Sequence, residues 1–457
     1  MACQQPVLAG AEIEVNATAA QLRTKADAVM RIAERLRADR PRGAEGLGVA
    51  IDVGTTTLAV YVFVRSTGVL AASAAGYNPQ RDVGADIIAR IGHVRRHGDD
   101  GLAGLQRKVL EGLNRLLNET YAEAESSPEQ VSRVVVAGNP TMLHLLAGIS
   151  PVGIDQSPFR AAFLEARTFS PDAIGLRVHP EAAIRLLPSA SSYVGSDIVA
   201  GVLALALGSE GRTELLVDIG TNGEIVLAKE GDLVACSTAA GPAFEGAAIR
   251  QGMNAVAGAI EAVTLEGDRL ICSTIEDAPA RGLCGTGLIS AVHALLERGL
   301  INLSGRLTPD TAWADRFCGE GKNLRFILSE GRQQVALYQE DIRAFQLGKA
   351  AIRAGIDTLL QAAGITPSDL DRVYVAGAFG THLEAAWALG TGLLPDIPVE
   401  RIHPAGNTAG QGAAMVLLDE GLQAVIDDLA KRIENVELAA MPEFTNRYLN
   451  RMAFPHP

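Results

Sequence analysis

The chain has 457 residues, which is more than one compact core usually holds, so two or three domains are expected. Hydrophobic residues make up 48% of it and charged residues 20%, a composition typical of a globular protein with large cores. The formal net charge of −13 argues against nucleic acid as a partner, because a phosphate backbone is bound by clustered Lys and Arg side chains.

The sequence of residues 1–46 predicts a linker that contains one helix. Apolar side chains recur at helical spacing across 16–38, with Arg and Lys opposite, which favours a helix that packs on the domain that follows. The N-terminus lacks the basic and apolar stretches of a signal peptide, and no run of about 18 uncharged apolar residues predicts a membrane span. Five cysteines without close pairing are typical of a reducing compartment, so we expect a cytoplasmic protein.

Two different sequence patterns each occur twice, in the same order along the chain. The first pattern is VAIDVGTTTLAVYVF at 49–63, echoed by LLVDIGTNGEIVLA at 215–228. The second is VSRVVVAGNPTMLHLLAG at 131–148, echoed by LDRVYVAGAFGTHLEAAW at 370–387. Because both patterns recur in the same order, the sequence predicts a duplicated unit.

The repeats divide the chain into two lobes and a tail. We place lobe I at 47–207, lobe II at 208–425, and a C-terminal helix with a docking tail at 426–457. Within the lobes, strands rich in Val and Ile alternate with helical patterns at 104–125 and 341–364. The predicted fold class is therefore α/β, with a mixed sheet flanked by helices in each lobe.

The strand that ends at Asp52 is followed by a turn rich in hydroxyl groups. Its sequence D-x-G-T-T-T offers a carboxylate, a glycine that permits a tight hairpin, and Thr side chains with backbone amides. Such a turn can bind phosphate oxygens, whereas the carboxylate is suited to hold Mg²⁺ through water. One copy alone favours an ordinary strand turn, but a second copy at Asp218 favours a phosphate site shared by both turns. The predicted phosphate-binding residues are Gly54, Thr55, Thr56, Gly220, Thr221 and Asn222, and the predicted metal-holding residues are Asp52 and Asp218.

Three later glycine-rich turns also lie where strands end or helices begin. VYVAGAFGTHL at 373–383 places Gly377 and Gly380 where backbone can approach a flat ligand closely. GLCGTGLISAVHALL at 282–296 and GNTAGQGAAMVLL at 406–418 each open a helix whose N-terminal amides can meet an anion or a ribose. The chain has neither a P-loop nor a G-x-G-x-x-G fingerprint, which disfavours other nucleotide-binding folds.

The paired hairpins, the AGAFG turn and the duplicated layout resemble the superfamily of acetate and sugar kinases, heat-shock chaperones and actin, abbreviated ASKHA. The resemblance covers about 47–425. It implies a duplicated actin-like, ribonuclease H-like ATPase fold, with ATP and Mg²⁺ in a cleft between two mixed-sheet lobes. In that family the hairpins are the phosphate motifs and the late glycine turn holds adenosine. The implied adenosine residues are Gly377, Ala378, Phe379 and Gly380, and a further predicted cofactor-binding segment is Gly285, Thr286 and Gly287.

Four further sequence segments narrow the resemblance to one family of this superfamily. NPQRDVGADIIARI at 78–91, GNPTMLHLLAGISP at 138–151, STAAGPAFEGAAIRQGM at 237–253 and the closing MAFP together resemble the reductive activators of corrinoid proteins. That family implies ATP hydrolysis that helps to drive a low-potential electron into an inactive Co(II) corrinoid of a methyltransferase system. It also implies a corrinoid protein as partner and a homodimer. Glu224 and Glu245 are candidates for orienting the attacking water, although a loop-capping role suits Glu245 equally well.

The start of the chain departs from the family pattern. Members carry a plant-type [2Fe–2S] domain at the N-terminus, whereas this chain has no C-x₄-C-x₂-C segment. Cys3, in the context ACQ, resembles the last ligand of such a domain. Because one thiolate cannot hold a cluster that four normally hold, we expect no bound [2Fe–2S] on this chain. Three alternatives stay open: the gene lost this domain, a separate ferredoxin-type protein carries it and donates the electron, or the sequence begins downstream of the true start.

Two other functions share the fold and stay open at this point. An activator of 2-hydroxyacyl-CoA dehydratases would use a cysteine before a Gly-Thr-Gly helix start to bridge a [4Fe–4S] cluster. Cys284 has that position, although a buried structural thiol is favoured for it. A small-molecule kinase would need a polar substrate site, for which Asn78, Asp82, Asp86 and Arg90 are candidates. The same four residues fit partner docking or a network between the lobes equally well.

Overall fold

The computed structural model describes residues 46–267, 269–331, 333–377 and 382–456. Cys3 and the helix predicted at 16–38 lie outside the described residues, as do Ala378, Phe379 and Gly380 of the predicted adenosine turn. What is described forms two lobes, each built on a six-stranded mixed sheet that has helices packed on both faces.

The sheet of lobe I is organised around its first strand. Its strands are β1 (Leu47–Val53), β2 (Thr57–Val64), β3 (Val69–Tyr77), β4 (Val131–Gly138), β5 (Arg167–Phe169) and β6 (Ala183–Leu186). Strand β1 is an almost continuous run of buried Val, Ala and Ile, as a central strand covered on both faces requires. It pairs antiparallel with β2 and parallel with β4, in the order β3–β2–β1–β4–β6–β5.

Lobe II repeats this sheet and adds two smaller ones. Its strands are β7 (Glu214–Ile219), β8 (Gly223–Lys229), β9 (Asp232–Thr238), β10 (Ala259–Glu266), β11 (Arg269–Thr274), β12 (Gly282–Leu283), β13 (Phe317–Cys318), β14 (Arg325–Glu330), β15 (Gln334–Tyr338), β16 (Arg372–Gly377), β17 (Ile402–Gly406) and β18 (Ile433–Asn435). The large sheet has the order β17–β16–β7–β8–β9–β18, and the small sheets are β11–β10–β12 and β13–β14–β15.

The strand register shows the duplication directly. Asp52 on β1 lies opposite Ala137 on β4, and Asp218 on β7 lies opposite Ala376 on β16. The order β3–β2–β1–β4–β6 in lobe I corresponds to β9–β8–β7–β16–β17 in lobe II. Both pairs of sequence repeats therefore occupy equivalent positions, and the predicted duplicated α/β fold is confirmed.

Helices pack on the sheets of both lobes. The described helices are α1 (Ile87–Glu123), α2 (Pro140–Ala147), α3 (Pro171–Ile174), α4 (Ser196–Leu205), α5 (Gly285–Glu297), α6 (Gln339–Ala362), α7 (Ala385–Gly390), α8 (Thr408–Leu418), α9 (Leu422–Arg432) and α10 (Pro442–Asn450). The segments predicted as helical at 104–125 and 341–364 fall in α1 and α6, each of which ends two residues earlier. Within the part of the chain that the structure describes, no helix has the length and apolarity needed to span a membrane.

Helices α4 and α8 pack against each other between the two lobes. Val199 and Val416 from these helices belong to one buried cluster that also includes residues of both large sheets. The helices approach closely at Gly412, where a Cβ atom would lie 2.1 Å from the carbonyl oxygen of Ala200. This helix pair therefore forms part of the packed contact between the two lobes.

The C-terminal segment docks on lobe II. Strand β18 extends the large sheet beside β9, and α10 packs on α6. After α10, the backbone carbonyl groups of Met452 and Ala453 accept hydrogen bonds from the buried side chains of Gln346 and Lys349, both at 2.7 Å. The tail thus contributes to the core of lobe II, while the domain boundaries derived from the sequence stay predictions.

We expect Gly412→Ala to lower the free energy of unfolding by roughly 1–3 kcal/mol, because the added methyl group would overlap the Ala200 carbonyl between α4 and α8. Gly104→Ala in α1 is the matched control. No atom lies within 4 Å of its Cβ position, so we expect a gain of about 0.5–1 kcal/mol. Urea unfolding measures both variants, and equal stabilities would contradict the close helix contact.

Candidate functional site

A cleft between the lobes brings the two predicted hairpins together. The eight residues predicted to hold phosphate and metal all line it. Glu224, Glu245 and Gly377 line the same cleft. Asp52 and Asp218, which come from different lobes, therefore share one crevice, as a nucleotide clamped between the lobes would require.

Each hairpin is closed by a backbone hydrogen bond from its glycine. The Gly54 amide donates to the Thr57 carbonyl at 2.9 Å, and the Gly220 amide donates to the Asn222 carbonyl at 3.0 Å. A Cβ atom at Gly54 would lie 2.6 Å from the Thr57 carbonyl oxygen, so this turn requires glycine. The tight turns leave the Thr side chains of both hairpins at the surface of the cleft.

The hairpins of the two lobes meet at the carboxylate of Glu245. Its Oε2 atom accepts a hydrogen bond from the Thr56 hydroxyl at 2.7 Å and another from the Thr221 hydroxyl at 2.6 Å. The two hydroxyl oxygens are 3.4 Å apart. Glu245 therefore does more than cap its own loop, because it joins lobe I to lobe II. The hydroxyl groups that it engages are among those predicted to bind phosphate.

Asp197 is a cleft residue that the sequence analysis missed. It lies in the first turn of α4, where its carboxylate accepts a hydrogen bond from the Ile198 amide at 2.9 Å. Burial, and then the charges of Asp218 and Asp52, raise its pKa to about 7. Burial, and then Asp197 and Asp218, also raise the pKa of Glu224 well above its ordinary value. The cleft therefore concentrates negative charge that a bound cation would relieve.

Two asparagines at helix N-termini orient groups of the first hairpin. Asn407, the N-cap of α8, donates to the Asp52 carboxylate at 2.9 Å, and Asn139, the N-cap of α2, donates to the Thr55 hydroxyl at 3.0 Å. The side-chain oxygen of each asparagine accepts a hydrogen bond from a backbone amide of its own helix, which fixes the direction of the asparagine side chain. Neither asparagine was predicted from the sequence to have a role in the site. A usable signal was present, since each follows a strand-ending glycine directly before a helix.

The Gly-Thr-Gly helix start does not line the cleft. A Cβ atom at Gly287 would lie 1.9 Å from the Ile260 carbonyl oxygen, and the Thr286 hydroxyl lies 3.1 Å from the Cys284 sulfur. The buried Cys284 thiol donates to the Ile260 carbonyl, and burial raises its pKa. Packing against β10 thus accounts for Gly287, and Gly285 is buried beside it. The residues that the structure brings to the cleft do not include this segment.

Gly377 is the described member of the predicted adenosine turn. It ends β16 with a φ of 89°, and a Cβ atom there would lie 2.6 Å from a carboxylate oxygen of Asp218. Glycine is therefore required both for the backbone conformation and for the close approach to the second hairpin. The remaining residues of that turn lie outside the described part of the chain.

The polar residues considered for a kinase substrate site do not reach the cleft. Asn78 and Arg90 are buried beneath the first hairpin. Asp82 pairs with Lys108 at the surface, and Asp86 caps the N-terminus of α1. None of the four candidates is among the residues that line the cleft.

Comparison with known proteins gives consistent matches along the chain. Residues 47–210 match the family model of the RACo middle region, and residues 212–457 match that of the C-terminal domain of RACo, the ASKHA domain. The corrinoid activation enzyme RamQ of Eubacterium limosum is 31% identical over 418 residues, in an alignment that covers 89% of this chain and 70% of that protein.

Another relative and a solved structure also have names that refer to corrinoid proteins. A Co(II) methylated amine-specific corrinoid protein reductase of Methanosarcina barkeri is 28% identical over 399 residues, in an alignment that covers 79% of this chain and 70% of that protein. The solved structure of a reductive activator for corrinoid, iron-sulfur protein matches with a TM-score of 0.84 and 33% identity. That match covers 91% of this chain and 67% of the other.

The raised pKa of Asp197 predicts a pH-dependent stability of the protein without nucleotide. An unfolded Asp ionises at about pH 3.9. The folded group ionises near 7, so the unfolded state binds fewer protons between these values and stability falls as pH rises. We therefore expect Asp197→Asn to raise the melting temperature more at pH 8 than at pH 4. Differential scanning calorimetry, with the exposed Asp100→Asn as control, tests this, and a gain independent of pH would contradict it.

Proposed function

This chain belongs to the RACo family, and on that premise we propose that it is an ATP-hydrolysing activator that drives the reduction of an inactive Co(II) corrinoid protein. The observation that carries the proposal is the meeting of both hairpins at Glu245 in one cleft between the lobes. Two relatives are named for corrinoid activation or corrinoid protein reduction, which supports the same activity here.

In the proposed site, the amides and Thr hydroxyls of both hairpins bind the phosphates of ATP, and Asp52 and Asp218 hold Mg²⁺ through water. Bound Mg²⁺ neutralises phosphate charge and polarises the phosphoryl oxygens. The lining of the cleft fits this assignment, because its described residues include five Asp or Glu and no Lys, Arg or His. Among the described residues, no group of three His, Cys, Asp or Glu could hold a metal by itself, which agrees with a cation held through water and phosphate.

We assign the orientation of the attacking water to Glu245 rather than to Glu224. ATP phosphates would compete for the Thr56 and Thr221 hydroxyls and release the Glu245 carboxylate beside them. Glu224 instead lies on the strand beside Asp218, where it accepts a hydrogen bond from Ser237 at 3.2 Å, and its described hydrogen bonds do not include the Thr hydroxyls of the hairpins.

The adenosine end of the nucleotide is proposed to lie at Gly377, together with Ala378, Phe379 and Gly380. Gly377 supports this because it lies at the cleft and its backbone passes close to Asp218. The segment Gly285–Gly287 is instead proposed to stabilise lobe II, since it packs against β10.

The electron is proposed to come from a ferredoxin-type iron–sulfur donor, and the assembly is proposed to be a cytoplasmic homodimer. The described cysteines, Cys236, Cys272, Cys284 and Cys318, form no disulfide, which agrees with a reducing compartment. Closure of the lobes on ATP and their reopening after hydrolysis would act through α4 and α8 and supply the differential affinity for the corrinoid partner.

The direct test mixes the purified protein with MgATP, a Co(II) corrinoid protein and a strong chemical reductant. We expect ATP hydrolysis that the corrinoid protein stimulates, together with the absorbance band of Co(I). Each component is omitted in turn as a control. Transfer of phosphate to a small metabolite, without formation of Co(I), would favour a kinase instead.

Nucleotide binding is expected to require a divalent cation. The described cleft lining offers carboxylates and no cationic side chain, so free ATP should be repelled. Titration of a fluorescent ATP analogue should therefore show binding with Mg²⁺ and at least about tenfold weaker binding with EDTA. Equal affinity under both conditions would contradict the assigned role of Asp52 and Asp218.

We expect Asp218→Ala to lower kcat for ATP hydrolysis at least about 100-fold, because it removes a group that holds the cation at the transferred phosphate. Asp232→Ala, an exposed position of the same lobe, is the matched control and should retain activity. Circular dichroism checks that both variants are folded. Unchanged turnover in folded Asp218→Ala would remove this residue from the metal site.

A further inference from the structure

We propose that Asn78, Gln80 and Arg90 form a buried clamp that fixes the lobe I hairpin in its phosphate-binding conformation. The inference rests on the proposed function, since it assigns positioning residues to the same nucleotide site. These side chains belong to the segment at 78–91, for which the sequence left a substrate site, a docking surface and an inter-lobe network open.

The clamp holds three successive backbone carbonyl groups of the hairpin. Asn78 Nδ2 donates to the Gly54 carbonyl at 3.0 Å, Arg90 Nη2 donates to the Thr55 carbonyl at 2.6 Å, and the Asn78 amide donates to the Thr56 carbonyl at 2.9 Å. In a trans peptide the C=O and the following N–H point in opposite directions. Because the clamp holds these carbonyl groups on its own side of the hairpin, the amide group that follows each of them points away from the clamp. Thr55 and Thr56, whose amides follow the first two carbonyls, line the cleft.

The clamp is itself rigid. Asn78, Gln80 and Arg90 are each 0% exposed. Arg90 Nη1 donates to Gln80 Oε1 at 3.0 Å, and Arg90 Nε donates to the Gly84 carbonyl at 2.9 Å. Gln80 Nε2 donates to the Leu105 carbonyl of α1 at 2.9 Å. Buried polar side chains that satisfy one another in this way fix a single arrangement.

Arg90 also places a positive charge behind the hairpin. Its hydrogen-bond acceptors among the described residues are two carbonyls, the Gln80 amide oxygen and the Met142 sulfur, none of which is charged. Burial lowers its pKa to about 10, so the group remains a cation at neutral pH. A buried cation whose direct partners are uncharged costs stability, and its field favours an anion on the far side of the hairpin.

The lobe II hairpin is supported differently in spite of its repeated sequence. The Thr221 carbonyl accepts a hydrogen bond from the Gly241 amide at 2.9 Å, and Gly223 packs on Ile352 of α6. The described contacts of this hairpin include no buried Arg or Lys. Among the described contacts of the two hairpins, such a clamp therefore occurs in lobe I and not in lobe II. Its loss should affect nucleotide binding through the first hairpin.

The test measures KM and kcat for MgATP together with the affinity for a fluorescent ATP analogue. We expect Arg90→Met and Asn78→Ala to raise KM and the Kd of the analogue at least about tenfold while kcat changes less than about threefold. Arg90→Lys keeps the charge without the guanidinium fork and should give a smaller increase if charge contributes. Hydrogen exchange at Thr55 and Thr56 should be faster in the variants.

Gln346→Leu is the matched control, because it removes a buried polar side chain that holds the C-terminal tail and lies away from the cleft. Loss of stability alone lowers the folded fraction, so it reduces the apparent kcat and leaves KM unchanged, which is the expected result for this control. If Arg90→Met does not fold, Asn78→Ser carries the same expectation.

The two proposals fail in different ways. Folded clamp variants with the KM and Kd of the wild type would overturn the clamp and leave the proposed function intact. A wild-type protein that neither binds nor hydrolyses MgATP would instead overturn the proposed function, whatever the variants do.

Discussion

The carboxylate of Glu245 accepts a hydrogen bond from a threonine of each lobe, and the geometry of the whole cleft depends on this contact. The hairpins follow strands that sit at the same place in two equivalent sheets, so each lobe delivers its hydroxyl groups to the cleft from opposite sides. A ligand that replaces Glu245 must offer oxygen acceptors to both hydroxyls at once. Phosphate does so, whereas a neutral metabolite with one acceptor does not.

Much of this arrangement follows from the sequence because it depends on local patterns that occur twice. Asp52 and Asp218 were predictable, since each ends a buried strand before a glycine turn. Asp197 was missed because its position depends on how α4 packs between the lobes, which no local pattern reports. Asn407 could have been identified, because it follows a strand-ending glycine directly before a helix. Gly287 illustrates an ambiguity of such patterns, because a glycine that packs closely on a neighbouring strand gives the same local sequence as one that approaches a ligand.

The two lobes are duplicated in fold but unequal in chemistry. Lobe I contributes a hairpin backed by Arg90, whereas lobe II contributes Glu245 and carries two additional small sheets. Such divergence is expected after duplication, because one nucleotide lying between two lobes presents different atoms to each. Membership of the RACo family is consistent with this division, since the matched middle region and ASKHA domain cover lobe I and lobe II respectively.

The contact between α4 and α8 has a mechanical consequence. At Gly412 the helices touch through backbone atoms, without an intervening side chain that could change rotamer and absorb strain. A change of side-chain rotamer therefore cannot relieve strain at this point, and a rotation of one lobe against the other would have to be accommodated by the two helix backbones.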